Sequence, residues 1–570
     1  KDLAEVLSAV PSAVVQDSGG AGQRKTVSLR GAAPNATLVL LDGVPLAGPG
    51  MAMDLGRVPL GALRRVDVLR GGASSRYGPG AMGGVINLVT LAPEGRRVFA
   101  ETSFGSFGTA RLQAGGAAPV LGGDALVALH GLRTLGDFGF DYDAQPTLEG
   151  PLERLPRANN HALQGGGLLR YRARVLGGTV DVLGEGLAET RGLAGTAFNP
   201  TPDATQQTGR GTLSARLLRP FLTSGELSVL AWSRLDDTTL RGSPFGGTAF
   251  SQLESSFGAE VMASQLVASR HGLTALLSAG GDFLREPTGR DPSWGRFGVM
   301  LADEVTLLDG RVSLLGAARV DVTGPFAVVS PKAGVTAQLP ASLRVSANVG
   351  QAARAPSFVE LYVVQGTLSP NLTLQPERAL TADATLAWSH RRGKASVTGF
   401  GALYDNLISY EYYPPALAKP YNIQGARVAG VEVEASATPW PWLEATASYT
   451  LMGTQNLRGD PRYFGKALPN RPQHRLAARV VGGVPLLHGR AEVAAQSAQF
   501  LNRTETLSAP ARAFINLGIA TTPWKNPSLT VSLDVKNLLD VSSFDLDGYP
   551  LPPRAVSIAL AGAWDFGSRP

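Results

Sequence analysis

The chain of 570 residues contains no cysteine, which excludes disulfides and thiolate metal sites from the outset. It also lacks any continuous apolar run of about 20 residues, the length that a membrane-spanning helix needs. Charge is sparse: Asp, Glu, Lys and Arg make up 17% of the residues, against about 25% in an average soluble domain. Histidine is scarce, with six in all. Neither the histidines nor the carboxylates fall at paired spacings suited to acid–base catalysis or metal-assisted hydrolysis. The one glycine-rich run lacks the terminal Gly-Lys-Ser/Thr of a phosphate-binding loop. No enzyme reading survives these absences. The net charge of +6 has no basic cluster behind it, since the arginines are scattered along the chain. That balance suits a solvated surface or contact with anionic lipid headgroups, and no nucleic-acid partner is expected.

What the sequence does contain is glycine, proline and alternation. Gly (69) and Pro (39) are about a fifth of the chain, spread evenly rather than in blocks. Hydrophobic residues reach 44% without forming long spans. This combination fits a transmembrane β-barrel, in which outward apolar and inward polar residues average out. From about Arg96 onward, segments of about ten residues alternate apolar with polar and are divided by turn residues. Val345, Ala347 and Val349 alternate with Arg344, Ser346 and Asn348, and Val431 and Val433 with Glu432 and Glu434. In the last segment Val556, Ile558, Leu560, Gly562, Trp564 and Phe566 share one face. A soluble antiparallel sheet alternates in the same way, so the weight lies in the number of segments. The repeat signatures of long soluble β-arrays are missing.

Residues 1–93 have a different texture and read as a separate α+β unit, with the barrel over 94–570. Leu3, Val6, Leu7 and Val10 share a helical face that Pro11 ends. Thr26–Arg30, Leu38–Leu41 and Arg65–Leu69 read as short strands, with Asp42-Gly43 as a hairpin turn. The stretch Arg64–Thr90, RRVDVLRGGASSRYGPGAMGGVINLVT, is dense in glycine, which serves tight turns and close backbone approach.

Several motifs in order resemble the TonB-dependent outer-membrane receptor family. In the first unit they are TVSLRG (Thr26–Gly31), LVLLDGVPL (Leu38–Leu46), RRVDVLRG and YGPGAMGGVINLVT. Further on they are ARAPSFVELY (Ala353–Tyr362), PNLTLQPE (Pro370–Glu377), YNIQGARVAGVEVEA (Tyr421–Ala435), LPNRPQHRL (Leu468–Leu476) and LDVKNLLD (Leu533–Asp540). The resemblance implies a barrel of 22 antiparallel strands whose lumen is closed by the N-terminal unit, the plug. It implies active import of a scarce, bulky solute, iron-siderophore or cobalamin-like, across the bacterial outer membrane. The implied partner is an inner-membrane energy-transducing complex of the TonB type. The Ton box that such a complex grips is not visible before the helix at Lys1. A plugged barrel serving as a structural or secretion-linked assembly component, without import, is the alternative. Residues 389–394 and 439–442 are expected as periplasmic turns and 410–421 as an external loop.

The resemblance also assigns residues. Plug arginines Arg30 and Arg70 would latch onto wall carboxylates Glu432 and Asp383. Substrate would be read at the plug apex by Gln23, Arg24 and Lys25, the two cations suiting an anionic siderophore or a phosphate-bearing cofactor. Met51 and Met53 are candidates for apolar ligand contact, with packing inside the plug as the commoner alternative. Tyr410, Tyr412 and Tyr413 would stack on a ligand or join an aromatic girdle. Pro356–Pro370 contain no histidine, so haem ligation there is not expected. No cofactor or metal is expected; calcium in external loops stays open, but Asp203, Asp236 and Asp237 are scattered.

Overall fold

The computed structural model describes residues 2–566 except Pro49, Pro59, 143–151, 243–248, Thr288, 365–367, 414–416, Gln424, Gly459 and Pro485, and leaves out the side chains of 411–417 and Lys525. A closed barrel of 22 antiparallel strands runs from Arg97–Gly105 to Ala555–Asp565, and the last strand pairs back with the first. Closure removes both sheet edges, so each ladder N–H and C=O finds a partner without water. Turns at one end are short, such as 121–122, 176–177, 391–392 and 441–442. Connections at the other end are long, including 355–376 and 406–425. The second of these carries its own hairpin, Leu407–Tyr413 with Leu417–Ile423.

The alternation read from the sequence becomes two faces of one wall. Leu169, Leu213, Phe297 and Ile558 point outward and are all more than half exposed. Arg170 and Thr212, next to two of them, and Glu432, between outward Val431 and Val433, point inward and are buried. A soluble protein seldom exposes so continuous an apolar band, because water penalises it. Hydrocarbon does not.

The plug fills the lumen. Its four-stranded sheet has the order Val44–Pro45, Thr37–Leu41, Gly84–Thr90, Leu63–Arg70, with a parallel pair at its centre. A second sheet pairs Ala13–Asp17 with Lys25–Leu29. The expected helix is shorter than its apolar pattern: it spans Leu3–Leu7, capped by the Asp2 side chain on Glu5 N–H. Beyond it Ala9 and Val10 bond three residues back, to Val6 and Leu7, and Ser12 at φ 55° turns the chain into the first strand. Pro11 follows too soon for another full turn. Leu3, Leu7, Leu29, Leu55, Ile86 and Leu88 form the core and are joined by the wall residues Leu126, Leu168 and Leu183. Each fully buried aliphatic side chain contributes about 1.5–3 kcal/mol.

The glycine-rich stretch has a steric reason. Gly84 sits at φ 146°, and a Cβ there would lie 2.2 Å from the Leu69 carbonyl oxygen and 2.8 Å from a Leu29 methyl. Gly84→Ala should therefore loosen the plug by about 3 kcal/mol, the upper range for overpacking. Limited proteolysis of the folded protein should then cut within 64–90 while the barrel stays intact; unchanged cutting would refute the steric account.

Candidate functional site

The plug–wall seam is built from two Leu-Arg-Gly turns. Lys25–Leu29 ends in Arg30 at φ 47° and Gly31 at φ 72°, which swings Arg30 toward the wall. Arg30 Nε donates to Glu432 Oε1 at 2.9 Å and its Nη2 to Oε2 at 3.0 Å, while Nη1 reaches Asp383 Oδ2 at 3.4 Å. Arg70, the last residue of Leu63–Arg70, brings Nη1 within 3.0 Å of Glu432 Oε2 and bonds Glu434 through Nη2. Ser12 Oγ donates to Glu432 Oε1 at 2.6 Å. Glu432 thus lies between two guanidinium groups and is only 1% exposed. The four residues assigned from the family motifs meet at one place. Glu434 was missed, although its place two residues along from Glu432 puts both carboxylates on the same face.

A second set of contacts runs from wall arginines to plug main chain. Arg216 donates to the Asp42 carbonyl at 2.8 Å, Arg234 to Pro45 at 3.2 Å, Arg319 to Arg76 at 3.1 Å and Arg471 to Gly31 at 2.9 Å. Arg234 and Arg319 are themselves held by Asp236 at 2.7 Å and Asp321 at 2.9 Å. Deeper in the seam, Asp54 accepts from Arg191 at 2.8 Å, and Arg57 donates to Glu189 at 2.8 Å. Burial opposes the Asp54 charge, but Arg191 and Arg57 outweigh it and hold the carboxyl down at about 2. This contact is whole above the ordinary carboxylate range and is lost only as pH falls toward that value.

The apex departs from expectation. Lys25 does not offer its charge to a ligand: it is 5% exposed, with Nζ 2.7 Å from Asp2 and 2.9 Å from Asp17. Asp17 also accepts from the N–H groups of Gly19 and Gly20, so the turn folds back over the lysine. Gln23 is likewise buried and donates to the carbonyl oxygens of Asn160 and Gly192, tying the apex to the wall rather than facing a solute. Met53 packs against the plug core at 6% exposure and also lines the plug–wall cavity beside Met51. Arg24 is exposed. Met51 lines a cavity of about 150 Å³ between plug and wall, with Tyr77, Trp232, Asp282, Arg296 and Arg319. Tyr410 is 37% exposed on the long-loop hairpin. The side chains of Tyr412 and Tyr413 lie outside the described residues. Asp236 is paired with Arg234, and Asp237 points to the opposite face of the same strand, so these two do not converge.

One cluster at the long-loop end was not anticipated as a unit. Arg354, 1% exposed, donates to Glu377 at 2.6 Å and to both oxygens of Glu360 at 2.9 and 3.1 Å. Glu360 sits at the third position of the Phe358–Leu361 helix and completes a capping box with Ser357. Glu377 accepts from the Ile408 N–H at 2.6 Å, at the root of the long-loop hairpin. The cluster reaches the plug through Gly50, whose carbonyl takes an Arg354 N–H at 3.4 Å, and through Asn35, which donates to Glu360 at 3.3 Å.

Comparison with known proteins agrees with this architecture. Residues 1–85 match the TonB-dependent Receptor Plug Domain and 118–538 the TonB dependent receptor-like β-barrel. A vitamin B12 transporter, BtuB, of Photobacterium profundum is 24% identical over 453 residues, 76% of this chain and 70% of that protein. BtuB of Vibrio vulnificus is 37% identical over 94 residues, 16% of each. Among solved structures, the ferric enterobactin receptor PfeA of Pseudomonas aeruginosa superposes with a TM-score of 0.80 at 17% identity, covering 99% of this chain and 96% of that one. The copper transporter OprC superposes at 0.81 with 16% identity, covering 99% and 95%. With the plug, the closed 22-stranded wall and the arginine–carboxylate seam in place, the chain belongs to the TonB-dependent receptors, plugged β-barrels of the bacterial outer membrane.

Proposed function

We propose that this receptor actively imports a scarce, bulky solute of the iron-siderophore or cobalamin class, drawing energy from a TonB-type inner-membrane complex. The observation that carries this reading is how the plug is held. It blocks the lumen, yet much of its grip consists of ion pairs and carbonyl contacts at Glu432, Arg216, Arg234 and Arg319. Such contacts add little net stability when water can replace them, so they release more readily than an apolar interface. A purely structural barrel has no need of a releasable stopper. The match to vitamin B12 transporters over most of the chain favours cobalamin within the class.

The test is uptake of labelled cyanocobalamin and of ferric siderophores by a strain lacking the gene. Loss of one activity, restored by the wild-type gene, is the expected result; unchanged uptake of both would refute import of this class. Arg24 and Lys25 should then separate. Arg24→Ala should lower the affinity for an anionic solute several-fold without changing thermal stability. Lys25→Ala should instead destabilise the N-terminal sheet, because it leaves the half-buried Asp2 and Asp17 without the cation they share. Equal loss of affinity in both variants would overturn this division.

A further inference from the structure

The plug sheet ends in an edge that no other strand covers. Leu63–Arg70 is the outermost of its four strands and pairs with Gly84–Thr90 alone. Gly71 N–H donates to the Gly83 carbonyl at 2.9 Å, which fixes the phase of the ladder. Main-chain groups alternate along an antiparallel strand, so those of Leu69 and Asp67 also turn toward Gly84–Thr90. Those of Val66, Val68 and Arg70 turn the other way. The Arg70 carbonyl accepts from Arg30 Nη1 at 3.5 Å. Val66 and Val68 have no main-chain partner on that side among the described residues.

A bare edge is a template for a further strand, and proteins usually blunt it. Here the bulge lies at the start, between Leu63 and Arg65. Beyond it stand Val66 and Val68, β-branched residues that favour strand pairing. The edge fronts open space. Val68, Leu69 and Arg70 line a cavity of about 990 Å³ together with Ser342 and Ser389, which lie at two short turns. The cavity therefore opens toward the periplasm. Its carboxylates are engaged: Glu434 by Arg70, Glu5 by Lys536, and Glu492 by Arg479 at 3.2 Å. Arg344 and Lys394 line the same cavity, are exposed, and have no carboxylate partner among the described residues. Arg64, at the start of the edge strand, is exposed and equally unpaired. The mouth thus carries uncompensated positive charge around an open edge.

We infer that this edge receives an extended, acidic segment of a periplasmic protein, which adds one strand to the plug sheet. Main-chain bonds at Val66 and Val68 supply the grip, and carboxylates on alternate residues meet Arg344 and Lys394. The edge lies inside the barrel mouth, out of reach of a second copy's wall. The docked strand runs up to Arg70 and takes over the carbonyl that Arg30 holds, so docking bears on the latch at Glu432 as well. At a Ton box the partner grips a segment of the receptor; here the plug does the gripping. Which solute is carried makes no difference to this contact.

The probe is a short fluorescent peptide of alternating valine and glutamate, titrated against the full chain in detergent micelles and followed by anisotropy. It should bind saturably and lose affinity several-fold as salt is raised. The counterpart with lysine in place of glutamate should not bind. Arg344→Glu combined with Lys394→Glu should weaken binding several-fold without changing thermal stability, since both side chains are exposed. Val68→Pro removes an N–H that the fold does not use, at an edge position that accepts proline, and should abolish binding. A fully N-methylated peptide of the same charge tests the main-chain bonds with the protein left intact, and it should not bind. Hydrogen exchange across 64–70 should slow when the unmodified acidic peptide is added. The proposal fails if the acidic peptide does not bind, if the basic or N-methylated peptide binds as well, or if folded Val68→Pro binds like the wild type. Amides at 66 and 68 that are already protected without peptide would also overturn it.

Discussion

Replacing Glu432 with alanine should unlatch the plug while leaving the barrel folded. The carboxylate receives two N–H groups of Arg30, lies beside the Arg70 guanidinium, and accepts from Ser12. Its removal leaves one side of the seam with two cations and a buried hydroxyl facing an emptied space. Breaking a buried pair in this way costs about 3–5 kcal/mol. Asp383 and Glu434 still hold one arginine each, which draws the expected loss toward the lower figure. Hydrogen exchange should quicken across 25–31 and 66–71, and the heat-modifiable migration typical of an intact barrel should persist. Unchanged exchange at both Leu-Arg-Gly turns would show that Glu432 is not the keystone. Glu432→Gln should fall between, since the amide keeps an acceptor but loses the charge.

The second large effect is expected at Arg354. Its removal as Arg354→Met leaves two carboxylates, Glu360 and Glu377, that are 2% and 0% exposed and have lost their common cation. Two like charges in a desolvated site cost several kcal/mol, so the long-loop end should come apart before the wall does. Proteolysis should open 355–376, where the Phe358–Leu361 helix is capped by Glu360, and the hairpin rooted at Ile408 should loosen with it. Combining Arg354→Met with Glu360→Gln and Glu377→Gln removes the charges together and should recover much of the lost stability. If the triple variant is as fragile as the single one, volume rather than charge is responsible.

The wall was the most legible part of the sequence, for a physical reason. Lipid outside and a polar lumen inside impose a two-residue period on each strand, and that period survives in Val431–Glu434 and Val556–Phe566 without knowledge of their partners. The latch was legible only through the family motifs, because Arg30 and Glu432 are 402 positions apart and nothing local links them. Lys25 was misread for the opposite reason. In sequence it sits beside Arg24 as a doublet of positive charge, but the strand starts at Lys25 and leaves Arg24 in the turn before it, so one is exposed and the other is clamped between Asp2 and Asp17. Met53 meets both readings at once: it packs into a core with Leu3, Leu29 and Leu88, and it lines the plug–wall cavity beside Met51.

The wall arginines that grip the plug by its carbonyl oxygens have an evolutionary consequence. Asp42, Pro45, Arg76 and Gly31 supply only main-chain atoms to those contacts. Any residue able to keep the local backbone would offer the same acceptor. For these four contacts a plug substitution that keeps the backbone is therefore silent, whereas loss of Arg216, Arg234, Arg319 or Arg471 removes them. Mutational tolerance is divided unequally across the seam. At these points, unlike at Arg30 and Arg70, the stopper can drift to suit a new cargo while its socket stays constant.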